Sequence, residues 1–256
     1  MKISVCELPN SRRGLDEQWP LLVRHAHESG SDLVLLPELP FFPWLAWRRR
    51  FNRERWSAAV SAHEDWLDRI PELFPAAVCG TRPLNRYGRR LNMGFVSSGK
   101  GGYAEVHSKY YLPQEKGFWE RSWYERGDAE FRIHRISELA LGFLICTELW
   151  FFQRARSYGK QGVHVICCPR ATPQESLSKW LAGGRAAAVV AGAFCISSNR
   201  ISQPRERADL GGRGWIIDPE GKVLGVTSPE EPFLTLDVDI GLAEIAKRTY
   251  PRYVPD

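Results

Sequence analysis

Short apolar runs bounded by turn residues recur along the chain, and longer segments with apolar residues at helical spacing lie between several of them. Such short runs are typical of buried β-strands, and the longer segments are typical of helices. The predicted strands are Ile3–Leu8, Leu33–Leu36, Ala77–Gly80, Phe95–Ser98, Leu139–Ile145, Val163–Cys168, Gly214–Asp218, Val223–Val226 and Phe233–Val238. The predicted helices are Leu15–Ser29, Glu54–Ile70, Phe152–Lys160 and Leu177–Ala193. The last helix is weakened by Gly183–Gly184, because each glycine costs about 1 kcal/mol in a helix interior.

Helices and strands alternate in the first part of the chain, whereas strands cluster toward its end. This order favours an α/β protein with a mixed sheet, arranged as two sheets in contact beneath outer helices. No internal repeat and no low-complexity linker divides the sequence. A chain of 256 residues can form one hydrophobic core,. Residues 1–256 are therefore predicted to form a single domain.

Composition and charge narrow the class of protein. The chain is 43% hydrophobic and 25% charged, close to the average of soluble globular proteins. Its net charge of +5 is spread over the whole sequence, so no nucleic-acid partner is indicated. No apolar run is long enough to cross a bilayer, the first residues do not resemble a secretory signal, and no cysteine–histidine spacing indicates a metal,. We therefore expect a cytoplasmic protein that contacts no membrane and holds no metal.

Three reactive side chains follow buried apolar runs. Glu38 stands in LVLLPELPFFPW, Lys109 in EVHSKYYLP and Cys146 in LALGFLICTELWF. In open α/β sheets, loops gather and ligands bind at the ends of such strands. Each residue alone has an ordinary explanation as a turn, a surface charge or a core thiol. Together they indicate a reacting centre, because a cysteine nucleophile needs a base and a cation beside it.

In these segments the sequence resembles the nitrilase family of carbon–nitrogen hydrolases, and the resemblance covers nearly the whole chain. The family carries a glutamate in L-P-E, a lysine before a short apolar stretch and a cysteine in I-C-x-[DE], which here read LLPEL, HSKYYLP and ICTEL. The loop EKGFWERSWYERGD resembles the one with the family's second glutamate. Anchoring that loop on Gly127–Asp128 selects Glu120, with Glu115 as the alternative. SSNR, GWIIDPEGKVLG and KRTYPRYV resemble later family segments.

The resemblance implies an α-β-β-α sandwich of two mixed sheets and hydrolysis of a non-peptide C–N bond through a thioester on Cys146. Glu38 would transfer protons, Lys109 and the backbone N–H of Thr147 would hold the oxyanion, and Glu120 would bind Lys109 or the substrate. Neither a metal nor an organic cofactor is implied.

The expected substrate is a small amide or an N-carbamoyl amine. A small nitrile is one alternative, and a catalytically silent protein that binds a ligand or partner on the same scaffold is another. The resemblance also implies association through the helices that follow the cysteine, so a homodimer or a larger homo-oligomer is expected.

Three further side chains lie near the candidate centre in sequence. Trp150 is a candidate for the pocket wall, and the alternative is that it packs in the core or at a subunit interface. Arg170 is a candidate for binding a substrate carboxylate or phosphate at the pocket mouth, against a surface arginine as the alternative. His107 is expected to be a core histidine with its hydrogen bonds satisfied, because no second metal-type ligand stands at a useful spacing. The family's frequent K-x-H reads Lys109–Tyr110–Tyr111 in this chain.

Overall fold

The fold follows the order of elements that the hydrophobic pattern predicts. The structure, a computed structural model, describes residues 1–204 and 206–255. The strands in these residues are β1 (Lys2–Pro9), β2 (Leu33–Leu35), β3 (Ala77–Arg86), β4 (Arg89–Ser98), β5 (Gly102–Ser108), β6 (His134–Ile136), β7 (Leu139–Phe143), β8 (Val165–Arg170), β9 (Phe194–Ile201), β10 (Trp215–Ile217), β11 (Val223–Val226) and β12 (Phe233–Asp237). The α-helices are α1 (Arg12–Ser29), α2 (Arg53–Leu67), α3 (Glu120–Trp123), α4 (Phe152–Lys160), α5 (Leu177–Ala191) and α6 (Gly241–Ala246).

The strands form one large mixed sheet with the hydrogen-bonded order β5-β4-β3-β2-β1-β9-β8-β7-β6. The pairs from β3 through β2, β1, β9 and β8 to β7 are parallel, whereas β3–β4, β4–β5 and β6–β7 are antiparallel. Strand β12 pairs with β1, and the β10–β11 hairpin pairs with β9. Strand β1 joins the two halves, because Ile3–Val5 pair with β2 whereas Glu7–Pro9 pair with β9.

Both faces of the central strands are buried, which explains why their sequences are continuous apolar runs. In β2, Leu33 and Leu35 belong to one hydrophobic cluster, whereas Val34 belongs to a second cluster that includes Trp19 of α1. The first cluster also contains residues from the opposite half of the sheet, such as Phe143, Cys167 and Ile196. The two halves of the sheet therefore share a common apolar core.

The predicted α/β class with a mixed sheet is confirmed, and each predicted strand and helix has a counterpart in the structure. The expectation of two sheets is met in part, because the hydrogen bonding continues through β1 and makes one large, nearly closed sheet. Strands β5, β6 and β9 were not predicted. Strand β9 contains the polar sequence Ser197–Arg200, which is buried only because its side chains are hydrogen-bonded.

The two glycines of α5 lie where the helix contacts bulky neighbours. A Cβ atom on Gly183 would lie 2.9 Å from the ring of Trp150, and one on Gly184 would lie 2.9 Å from Ile217 Cδ1. Close packing thus explains two residues that are unfavourable for a helix by propensity alone.

Two kinds of feature are absent from the described part of the chain. None of its helices is both long and apolar enough to span a membrane. Nor does it contain a group of three or more histidine, cysteine, aspartate or glutamate side chains placed to hold a metal ion.

Candidate active site

Each residue of the predicted centre stands just beyond a strand. Glu38 follows β2, Lys109 follows β5 directly, and Cys146 follows β7 at the start of a 3-10 turn over Cys146–Trp150. Strands β2 and β7 lie within the parallel part of the sheet. Parallel strands place their carboxyl ends at a common edge, and the loops after these strands converge there.

Lys109 lies at the middle of a fully buried charge cluster. Its ammonium donates hydrogen bonds to Glu38 Oε1 at 2.7 Å and to Glu120 Oε1 at 2.9 Å. All three side chains have 0% exposure. A second donor, Asn92 Nδ2, contacts the same Glu38 oxygen at 2.7 Å. The other oxygen, Glu38 Oε2, has no hydrogen-bond partner among residues 1–204 and 206–255, so it remains available to accept a proton.

Cys146 adjoins this cluster and adopts a backbone conformation that is rare for a side-chain-bearing residue. Its φ is +50°, in the left-handed region, which costs on the order of 1–3 kcal/mol outside glycine. Such strain is found mainly where the surrounding structure fixes a functional residue. The thiol interacts electrostatically with Glu38, Lys109 and Glu120, and a backbone hydrogen bond from Ala171 reaches it.

Burial and charge together set the protonation states of this cluster. Burial raises the pKa of the Cys146 thiol well above its ordinary value, and Glu38 raises it further, although the Lys109 ammonium opposes them. The resting thiol is therefore protonated at neutral pH. Burial alone would lower the pKa of Lys109, but the Glu120 and Glu38 carboxylates raise it above its ordinary value, so Lys109 is an ammonium. Burial raises the pKa of Glu120; Lys109 lowers it, and Glu38 raises it again, which leaves it above its ordinary value.

A pocket of about 310 Å³ opens onto the thiol. Its lining residues are Pro113, Glu115, Lys116, Phe118, Glu120, Cys146, Thr147, Thr172, Pro173, Glu175, Ser176 and Trp180. Cys146, Thr147 and Glu120 thus line a common cavity. Glu115 also lines it, but Glu120 is the glutamate that contacts Lys109.

Trp150 lies beside the pocket rather than in its wall. Its side chain is 40% exposed, and its ring centroid lies 5.0 Å from that of Trp180. Trp180 is the tryptophan that lines the cavity. The structure therefore places Trp150 in the packing between the Cys146 turn and α5.

Arg170 is buried, with 1% exposure, and each of its three guanidinium nitrogens donates a hydrogen bond. The guanidinium donates to Ser197 Oγ at 2.7 Å, to Thr172 Oγ1 at 2.6 Å and to the Arg213 carbonyl at 2.6 Å. It also lies 3.9 Å from the ring centroid of Trp215. The surface alternative for Arg170 is wrong, because the side chain is buried. Arg170 does not line the cavity, whereas its partner Thr172 does. Arg170 lies behind the pocket wall and holds the wall residue Thr172 by a hydrogen bond.

Two residues that hold the centre together were not singled out in the sequence. Asn92 donates to Glu38, and its carbonyl accepts the backbone N–H of Lys109 at 2.9 Å. Arg200 is completely buried and donates to the carbonyls of Leu39 and Phe42, each at 2.7 Å, which fixes the chain just after Glu38. Asn92 and Arg200 could have been noticed in the sequence as polar side chains within strand-forming segments. A polar group that is buried in such a segment needs a hydrogen-bond partner, so it often supports a site.

Comparison with known proteins identifies the family. The carbon–nitrogen hydrolase family model matches residues 4–248. The chain is 23% identical over 233 residues to the N-carbamoylputrescine amidase of Solanum tuberosum, covering 82% of this chain and 75% of that protein.

Solved structures agree in fold. A carbon–nitrogen hydrolase from Helicobacter pylori G27 superposes with a TM-score of 0.84 at 20% identity, over 98% of this chain and 94% of that one. A variant of the amidase from Nesterenkonia sp. AN1, with the acetamide moiety of fluoroacetamide added covalently at its active-site cysteine, superposes with a TM-score of 0.74 at 19% identity, over 97% and 94%.

The fold and the buried glutamate–lysine–cysteine cluster are those expected of an enzyme that hydrolyses C–N bonds. The chain belongs to the carbon–nitrogen hydrolase family.

Selective alkylation tests the reactivity of the thiols. Cys146 lines the pocket, whereas the five other cysteines have 0% exposure. We expect iodoacetamide to modify Cys146 first, because the reagent can reach it and Glu38 can accept its proton. Peptide mapping by mass spectrometry after brief exposure of the native protein measures the order of modification. Equal labelling, or earlier labelling of Cys167 or Cys168, would contradict the assignment.

Proposed function

We propose that this hydrolase cleaves the C–N bond of a small amide or N-carbamoyl amine through a thioester on Cys146, and releases ammonia or an amine. The observation that carries the proposal is the Lys109 ammonium, bonded to two buried carboxylates beside a thiol that lines a pocket. No residue in this scheme needs a metal or an organic cofactor.

The first half of the reaction forms the thioester. Glu38 Oε2, which has no partner among the described residues, accepts the thiol proton as Cys146 Sγ bonds to the substrate carbonyl carbon. The carbonyl oxygen becomes an oxyanion. When that tetrahedral species collapses, the C–N bond breaks, and Glu38 returns its proton to the leaving nitrogen.

The second half hydrolyses the thioester. Glu38 accepts a proton from water while the water oxygen bonds to the acyl carbon. The C–S bond then breaks, the carboxylic or carbamic acid leaves, and the proton on Glu38 returns to the sulfur. One water is consumed and the enzyme recovers its starting protonation state.

Lys109 and the backbone N–H of Thr147 are the proposed donors to the oxyanion. The ammonium is fixed in place before the substrate arrives, and Thr147 adjoins the nucleophile in the pocket wall. A preorganised donor of this kind contributes about 3 kcal/mol of transition-state stabilisation. Glu120 also accepts a hydrogen bond from the ammonium and balances its charge.

The pocket supports a small substrate with a polar end. Phe118 and Trp180 give it an apolar wall, and the exposed side chains in its lining, Glu115, Lys116 and Glu175, include one more carboxylate than cation. An N-carbamoyl amine with a cationic tail suits such a lining, in line with the N-carbamoylputrescine amidase to which the chain is similar.

Ammonia release across three substrate classes tests the proposed function. We expect ammonia from primary amides or N-carbamoyl amines. Amides should give an equal amount of carboxylic acid, whereas N-carbamoyl amines should give equal amounts of amine and carbon dioxide, because the carbamic acid decomposes. Nitriles of matched carbon skeleton form the third class. Turnover confined to nitriles, or none in any class, would contradict the proposal.

We also propose that the two halves of the sheet are the two inner layers of an α-β-β-α sandwich. Their shared cluster, with Leu35 and Cys79 on one side and Phe143 and Cys167 on the other, supports this arrangement.

A further inference from the structure

We propose that Glu148 and His107 form a buried ion pair that positions both Cys146 and Lys109 for catalysis. The inference rests on the proposed function, because it assigns to these two residues a role in the same hydrolysis. Neither side chain lines the pocket, so they are positioning residues that act through their neighbours.

Glu148 connects the nucleophile segment to the lysine segment. Its Oε2 accepts the backbone N–H of Ile145 at 2.9 Å, and its Oε1 accepts that of Tyr110 at 2.7 Å. Ile145 immediately precedes Cys146, and Tyr110 immediately follows Lys109. One carboxylate therefore fixes the backbone next to the strained nucleophile and next to the ammonium. A displacement of about 1 Å at a reacting group can cost roughly a hundredfold in rate.

His107 supplies the positive charge that this carboxylate requires. The side chains of the pair are only 1% and 0% exposed, and His107 Nε2 lies 2.8 Å from Glu148 Oε2. The other ring nitrogen, Nδ1, lies 3.2 Å from the Glu130 carbonyl oxygen. Both ring nitrogens thus face oxygen atoms that can only accept hydrogen bonds. A ring that donates from both nitrogens is an imidazolium.

Two other histidines show the contrasting neutral arrangement. His63 Nδ1 lies 2.8 Å from the Ala59 carbonyl, while its Nε2 accepts the backbone N–H of Phe41 at 3.2 Å. In His164, Nδ1 accepts the N–H of Ala140 at 3.1 Å, and Nε2 lies 2.6 Å from Glu244 Oε1. Each of these rings faces one donor and one acceptor, which a neutral imidazole satisfies.

The charges around His107 favour the same protonated form of the ring as its hydrogen bonds do. Burial lowers the pKa of the imidazole, but Glu148, the Glu130 carbonyl and Asp128 together raise it above the ordinary value of 6.5. The ring of Phe131 packs against the imidazole, with 4.7 Å between the ring centroids. On Phe131 lies the Arg154 guanidinium, whose Cζ is 4.5 Å from the phenyl centroid. Because the folded pKa is raised, the stabilisation by this pair is complete below about pH 6.5 and is lost as the pH rises through the folded value.

Nitrogen-15 NMR of the histidine rings in the parent protein tests the charge directly. At pH 7 we expect His107 to give the pattern of an imidazolium and His63 to give that of a neutral ring, since burial lowers the pKa of His63 to about 3. This measurement does not depend on any substrate, so it separates failure of this inference from failure of the proposed function. A neutral His107 at pH 7 would overturn the inference.

Kinetics of His107→Gln test the positioning role. Glutamine retains one donor toward Glu148 but removes the charge. We expect kcat to fall by about 10- to 100-fold with KM changed less than threefold. We also expect the parental kcat to decline as the pH rises through the titration of His107, and this decline to be absent in the variant. His164→Gln is the matched control, since it removes a histidine paired with Glu244 outside the site, and its kcat should match that of the parent.

The rate of Cys146 alkylation in the parent provides a second readout if the variant does not fold. We expect that rate, normalised to the alkylation of a free thiol at each pH, to fall as His107 loses its proton. A kcat within twofold of the parent in folded His107→Gln would overturn the positioning role. So would a normalised alkylation rate that does not change through the titration of His107.

Discussion

Replacement of Cys146 by serine is expected to abolish ammonia release and to leave the fold intact. Serine is nearly isosteric with cysteine, so the packing around a side chain with 3% exposure changes little. A hydroxyl is a much weaker nucleophile at neutral pH, and the carboxylate of Glu38 is a poor base toward it. We expect turnover to fall by roughly a thousandfold or more, measured as ammonia release by the purified variant, with a melting temperature close to that of the parent.

Cys6→Ser provides the matched control for this exchange. Cys6 is also buried, but it lies in β1, and its thiol donates to the Leu35 carbonyl at 3.4 Å. A serine there can make the same kind of bond, so activity should remain close to the parental value. Turnover that persists in Cys146→Ser would show that another group is the nucleophile.

Replacement of Lys109 by alanine is expected to cost both activity and stability. It leaves the buried carboxylates of Glu38 and Glu120 without the ammonium that bonds to both. Breaking a buried ion pair by removing one partner typically costs about 3–5 kcal/mol of unfolding free energy. Activity should fall at least a hundredfold, because the variant also lacks the proposed oxyanion donor.

The stability loss in Lys109→Ala should grow with pH. The Lys109 ammonium lowers the pKa of Glu120 in the parent, where burial and Glu38 already keep it above the ordinary 4.5, so its removal raises that pKa further. The pKa of Glu120 in the folded parent is about 8, so the folded variant keeps a proton at pH values where the folded parent has released it. The stability loss relative to the parent therefore grows as the pH rises through about 8. Thermal melts from pH 5 to pH 9 measure this trend.

A second substitution isolates the charge effect from the lost packing. Lys109→Ala combined with Glu120→Gln removes one of the two carboxylates and should recover part of the stability at pH 9 without restoring activity. If Lys109→Ala melts like the parent at every pH, the buried-charge arrangement described above is incorrect.

Much of the fold is predictable from local pattern, because the strands next to the centre are buried on both faces. Apolar runs such as Leu33–Leu36 and Leu139–Ile145 have no polar positions that would obscure them. Strand β9 is different, since Ser198 and Arg200 are polar and yet completely buried. Their burial depends on partners from distant segments, such as Leu35 and Leu39, and no local pattern encodes those contacts.

For the candidate site as well, the local sequence predicts some positions and misses contacts with distant segments. Glu38 and Cys146 each stand at the end of an apolar run, so their positions indicated that they could meet. The expectation that a buried apolar run precedes Lys109 was wrong, because β5 contains Glu105, His107 and Ser108 and is exposed at its start. Arg170 also follows an apolar run, and its position suggested an accessible side chain. In the structure its guanidinium turns inward to Ser197 and Trp215. The direction of a side chain at a strand end depends on packing that its own segment does not determine.

The central claim is that the acyl group of the substrate becomes attached to Cys146. The most direct test mixes the parent enzyme with a nitrophenyl ester of an acyl group that the enzyme accepts, stops the reaction with acid within milliseconds, and maps the peptides by mass spectrometry. The good leaving group makes acylation fast, so the thioester should accumulate before water removes it. We expect an added acyl mass on the peptide that contains Cys146, and we expect it to disappear on treatment with hydroxylamine. An adduct on another residue, or rapid product formation with Cys146 unmodified throughout, would contradict the claim.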